Sequence, residues 1–131
     1  MTAFVDASVL VRHLTGEPAE LAARATAFLY ESERLLVTDL VVADAVRVFE
    51  SFYEAPRGAI AEAMRSLLAF DKVVCVDAAA LLRAIEVYET TGIDFSGAYL
   101  VACAESTGVA RIVSFDRSID RATTVDRIEP P

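Results

Sequence analysis

Four aspartates stand where a carboxylate can do chemistry: Asp6, Asp44, Asp94 and Asp116. Asp6 follows the apolar run Ala3–Val5, and Asp116 follows the run that starts at Arg111. Each apolar run reads as a strand, and each acid opens the turn or helix that comes next. In an α/β fold this puts both carboxylates at the edge of the sheet where ligands gather. A plainer role is open to each, as a helix N-cap that accepts backbone N–H bonds. Two such acids at one sheet edge favour a shared site.

Asp44 lies mid-helix in LVVADAVRVF, with Leu40 and Val48 one turn away on its own face. A carboxylate among apolar neighbours is costly unless it is paired or metal-bound. The alternative is an i,i+3 ion pair with Arg47 on an exposed stripe. Asp94 comes just before a helix that starts near Ser96, where an N-cap acid is ordinary. Carboxylates that share a cleft repel one another, and a hard cation such as Mg²⁺ or Mn²⁺ removes the conflict. Such a cation lowers the pKa of a bound water and neutralises charge on a phosphate. With one histidine and several strand-end acids, the chain is best suited to metal-dependent phosphodiester hydrolysis.

The elements that must position these acids can be read from periodicity. Strands are predicted at Ala3–Val5, Leu35–Val37, Val73–Val76, Arg111–Ser114 and Val125–Ile128. Helices are predicted over Pro18–Glu33, from a cap at Thr38 or Asp39 to about Glu54, over Ala59–Phe70, from Asp77 to about Thr91, and over Ser96–Thr107. Gly108 stops the last helix. Alternating strands and helices argue for an α/β sandwich with a mostly parallel central sheet. The apolar faces of Pro18–Glu33 and Ala59–Phe70 either pack on the core or form a groove for a partner helix.

Composition sets limits on this reading. The 131 residues are 55% hydrophobic and 24% charged, which fits one folded domain over 1–131. Net charge is −8, so nucleic acid is not held by bulk electrostatics alone. No apolar run is long enough to span a membrane, and the N-terminus does not read as a secretory signal. Cys75 and Cys103 lie in apolar segments and read as reduced core thiols of a cytoplasmic protein. A phosphoacceptor site is disfavoured, because Lys72 is the only lysine and precedes a different strand.

Four motifs in order, VDAS, TDLVVADAVRVFESFY, DFSGAYLVACAE and VSFDRSID, resemble the PIN-domain family, and specifically the VapC-type toxins of toxin–antitoxin pairs. The resemblance spans essentially the whole chain. It implies a three-layer α/β/α sandwich, Mg²⁺ or Mn²⁺ dependence and single-strand endoribonuclease activity. It also implies a homodimer and inhibition by a small VapB-like antitoxin. Asp6 matches the family's first acid, Ser8 the hydroxyl residue that supports it, and Asp116 the late acid. Asp44 falls where the family has glutamate, a reach shorter by roughly 1.5 Å, so a water would bridge it to a metal. Gly97 replaces the acid usually assigned to metal binding, which leaves Asp94 a turn earlier to act directly or through water. Glu105 lies two turns further on and out of reach.

The resemblance therefore implies a ribonuclease with a weakened metal site. The competing expectation is an impaired PIN-fold module that binds RNA or an antitoxin without cutting. Arg12, Arg47, Arg117 and Arg121 lie near the acids in sequence. They either offset the acidic charge for RNA or form ordinary surface ion pairs.

Overall fold

The computed structural model describes all residues from Met1 to Pro131. The chain divides into two compact units, Met1–Val76 and Asp77–Pro131.

The first unit begins with a short strand, β1 (Thr2–Phe4), which Asp6 ends by capping helix α1 (Ala7–Thr15). Gly16 closes α1 in the left-handed conformation at φ 73°, which glycine adopts without Cβ strain. Pro18 then fixes the entry to α2 (Ala19–Glu31). Strand β2 (Arg34–Leu36) follows, and the Thr38 hydroxyl accepts the Val41 amide at 3.2 Å to start α3 (Asp39–Ser51). Helix α4 (Arg57–Ala69) leads to β3 (Val73–Val74).

The three strands are parallel in the order β1–β2–β3, with Ala3 opposite Leu35 and Leu36 opposite Val74. Parallel neighbours need crossover connections; α1 and α2 supply the first, α3 and α4 the second. Leu10, Leu29, Leu35, Val42, Ile60 and Met64 are buried and form the core that holds these crossovers on the sheet.

The second unit starts with α5 (Ala78–Thr91), capped by Asp77, and α6 (Phe95–Thr107), capped by Asp94. Leu81, Ile85, Tyr88, Ile93 and Val101 are buried in it. Strand β4 (Arg111–Val113), a short 3-10 helix (Arg117–Arg121) and β5 (Asp126–Ile128) complete it. The two strands are parallel, with Ile112 opposite Arg127.

This is a helix-rich α/β chain with parallel strands, consistent with a three-layer α/β/α fold. It differs in detail from the sequence reading. The strands hydrogen-bond as two sheets, of three and two strands. Strands β1 and β2 end one residue early, although the Val5 and Val37 amides still bond to Leu36 and Val74 carbonyls at 3.0 Å. Helix α3 stops at Ser51 and not near Glu54, which sits at φ 50°, outside helical backbone space.

The faces of α2 and α4 do not only pack on the core. They border a cavity of about 230 Å³ with His13, Tyr30 and Phe70 in its lining. Tyr30 and Phe70 meet edge to face at 5.4 Å across it. Cys75 and Cys103 are free, but both are half-buried and not core thiols. Burial raises the Cys75 pKa, and the neighbouring Asp39 charge raises it further.

Candidate metal-binding acids

Asp6 caps α1 with one oxygen. Its Oδ2 accepts the Ser8 hydroxyl at 2.7 Å and the Ser8 amide at 3.4 Å. These bonds favour the ionised form and hold the Asp6 pKa below its ordinary value, the Ser8 hydroxyl contributing most. Asp6 is solvent-exposed and borders an open groove of about 560 Å³. It is an ionised carboxylate with Oδ1 outside both Ser8 bonds.

Asp116 is built the same way at the end of β4. It caps the 3-10 helix, and its Oδ1 accepts the Ser118 amide at 2.9 Å. Bonds from the Ser118 hydroxyl and amide lower its pKa, and the Arg121 and Arg127 charges lower it further. Arg127 is otherwise engaged, with Asp120 at 3.0 and 3.2 Å and the Ser114 carbonyl at 3.0 Å. Arg121 donates to the Gly92 carbonyl at 3.3 Å. Within the second unit it thus links the 3-10 helix that Asp116 caps to the turn just before Asp94.

Asp94 caps α6 through Oδ1, which accepts the Gly97 amide at 2.9 Å. Its Oδ2 is not used in that bond. Gly97 is buried beneath it.

Of the two sequence readings of Asp44, the structure bears out the i,i+3 ion pair with Arg47 on an exposed stripe. The Asp44 side chain is 51% exposed and pairs with Arg47 at 2.6 Å. Leu40, one turn before, is 79% exposed. The stripe faces solvent, so the ion pair with Arg47 resolves the cost that burial would impose. Glu105 is also committed elsewhere: Arg83 on α5 grips it with two bonds, at 2.7 and 2.9 Å, and this pairing lowers its pKa.

Within neither unit do three His, Cys, Asp or Glu side chains gather into a metal cage. Magnesium does not require one, since it is commonly held by one or two carboxylates with waters and substrate phosphate oxygens. Exposed, ionised Asp6 and Asp116 are donors of the right kind.

The PIN domain family model matches residues 3–124. The chain belongs to the PIN domain family. The match contains Asp6, Asp44, Asp94 and Asp116 and runs through both units. PIN domains are generally nucleases that use divalent metal ions, and the family points to RNA as ligand. No curated protein matches the chain. No helix of this PIN domain is long and apolar enough to cross a membrane.

Sequence reasoning missed three side chains near Asp6: Phe4, Arg24 and Phe28, which line the same groove. The signal was available in part. Arg24 and Phe28 are four residues apart on a predicted helix, and such pairs share a face.

Proposed function

We propose that this PIN domain is a single-strand endoribonuclease of the VapC toxin type, dependent on Mg²⁺ or Mn²⁺. The observation that carries the reading is the matched treatment of Asp6 and Asp116. Each follows a parallel strand, is exposed, and accepts serine hydrogen bonds that lower its pKa. The family match across 3–124 supports taking 1–131 as one domain. The resemblance alone joins the acids of the two units in one ligand set, with Asp6 and Asp116 as the proposed principal ligands, and Asp94 and, through water, Asp44 as auxiliaries. Bound there, the cation would supply an activated water and a counter-charge for the phosphate. Ser8 and Ser118 orient the two carboxylates and favour their ionised form. A VapB-like antitoxin, a homodimer and a cytoplasmic setting belong to the same proposal and rest on the resemblance alone.

A second reading is favoured by one feature. Gly97 has no carboxylate, and adding one requires its neighbours to move: a Cβ there would lie 2.7 Å from both Asp94 Oδ1 and Ile93 Cγ2. A module that binds RNA or an antitoxin without cutting would tolerate that loss. Cleavage of a single-stranded RNA in Mn²⁺, compared with Asp6→Asn and Asp116→Asn, decides between them. Cleavage by the unaltered chain that both variants lose supports the nuclease. Equal inertness of all three supports the binding module.

A further inference from the structure

The groove beside Asp6 has features that a metal site does not need. Phe4 leaves the end of β1 74% exposed, and Phe28 on α2 is 39% exposed. Both line the groove that Asp6 and Ser8 border, together with Arg12 and Arg24. Ser8 and Arg12 stack at i,i+4 on α1; Arg24 and Phe28 do so on α2. Two helices thus present a cation and a second functional side chain each to one opening.

Arg12 and Arg24 share the lack of a carboxylate partner with Arg34, Arg111, Arg117 and Arg121, but only these two line the groove that Phe4 and Phe28 enter. Arg47, Arg65, Arg83 and Arg127 all pair with carboxylates. Arg12 and Arg24 pair with none, in a chain with 20 acids and 12 Lys and Arg residues. Two unpaired guanidiniums beside two exposed aromatic rings match a nucleotide: phosphate for the cations, a base face for the rings. An unpaired base can enter such a groove, whereas a base within a duplex is already stacked and paired.

We propose that Phe4, Phe28, Arg12 and Arg24 form a nucleotide subsite next to Asp6. The rings stack an unpaired base of single-stranded RNA, and the guanidiniums hold its flanking phosphates. Stacking accepts any base, so the subsite selects single strands over duplex more than one sequence over another. The proposal takes its substrate class from the nuclease reading, but binding tests it separately from cleavage.

The experiment measures fluorescence anisotropy of the full chain with a short labelled oligouridine in EDTA, where cleavage cannot occur. Parallel titrations use the same backbone without bases, the same length as duplex RNA, and an acidic helical peptide. Phe4→Ala and Phe28→Ala are each expected to weaken oligouridine binding about tenfold and to leave the abasic strand unchanged. Phe28→Trp retains binding, which shows that a ring and not the fold is being tested. Arg12→Gln and Arg24→Gln weaken both strands and flatten the salt dependence by about 0.7 in slope for each phosphate released. Several outcomes overturn the proposal: no oligouridine binding by the unaltered chain, alanine variants that bind as it does, or duplex bound as tightly as single strand. Peptide binding with the same Phe and Arg dependence, without RNA binding, also overturns it and assigns the groove to a protein. Inert but RNA-binding protein removes the nuclease and leaves the subsite. Cleavage indifferent to Phe28→Ala and Arg24→Gln removes the subsite and leaves the nuclease.

Discussion

The Asp94 carboxylate crowds the place where a side chain on Gly97 would begin. A Cβ at position 97 would stand 2.7 Å from Asp94 Oδ1 and 2.7 Å from a methyl of the buried Ile93. The Gly97 amide meanwhile donates to that same Oδ1. The glycine is therefore the reason the Asp94 cap can close as it does.

Replacing Gly97 should reverse the usual helix preference. Glycine to alanine inside a helix ordinarily stabilises by about 1 kcal/mol. Here the added methyl must displace a cap and a fully buried side chain, so Gly97→Ala is expected to destabilise by about 1–3 kcal/mol. Chemical denaturation of the two proteins measures this. Gly97→Asp should likewise fail to raise RNA cleavage by itself. A variant as stable as the unaltered chain, or a strongly activated Gly97→Asp, would contradict the close approach.

Breaking the Arg83–Glu105 pair should cost stability without touching cleavage. The pair joins α5 to α6 with two charge-assisted bonds, and the Thr124 hydroxyl adds a third to Glu105. It is part-exposed, so solvent screens it, and Glu105→Gln is expected to cost about 1–2 kcal/mol. The thermal midpoint should fall while the rate of RNA cleavage at low temperature stays unchanged. A lost rate with an unchanged midpoint would place Glu105 in the site.

Much of this arrangement could be read from sequence, and the losses have physical causes. Helix caps at Asp6, Thr38, Asp77 and Asp94 were legible because a cap needs one short polar side chain before an apolar period. Strand ends were less so, since β1, β2 and β3 are only two or three residues long and periodicity has little to act on. The Asp44–Arg47 pair was legible from its i,i+3 spacing, whereas the exposure of Leu40 beside it was not, because its sequence neighbours are apolar. Ser8 was legible through resemblance, whereas Ser118 was not singled out, although it serves Asp116 in the same way. The steric reason for Gly97 depends on where the Asp94 and Ile93 side chains turn, which no spacing rule encodes.

Asp44 can be tested free of stability effects. Its ion pair with Arg47 is exposed, and such pairs contribute about 0–1 kcal/mol. Asp44→Asn is therefore expected to shift unfolding by no more than about 0.5 kcal/mol. Any large fall in Mn²⁺-dependent cleavage then reports on catalysis and not on folding. Unchanged cleavage would remove Asp44 from the proposed ligand set and leave it a surface partner of Arg47.

The two serine-held acids give the metal-free chain a defined response to pH. Both Asp6 and Asp116 have pKa values below the ordinary 3.8 in the folded state. A depressed carboxyl binds protons more weakly when folded than when unfolded, so its contribution is fully present above about pH 3.8. It is lost as pH falls through the lower, folded value. Stability in EDTA should therefore decline on acidification below about pH 4. Ser8→Ala removes the largest cause of the Asp6 shift, so its pKa rises towards 3.8 and its share of the decline shrinks. Unfolding measured across this range for the unaltered chain, Ser8→Ala and Asp6→Asn checks the sign: both variants should show a shallower acid limb. A steeper limb in Ser8→Ala would mean that the serine does not favour the ionised carboxylate, and the matched treatment of Asp6 and Asp116 would lose its physical basis.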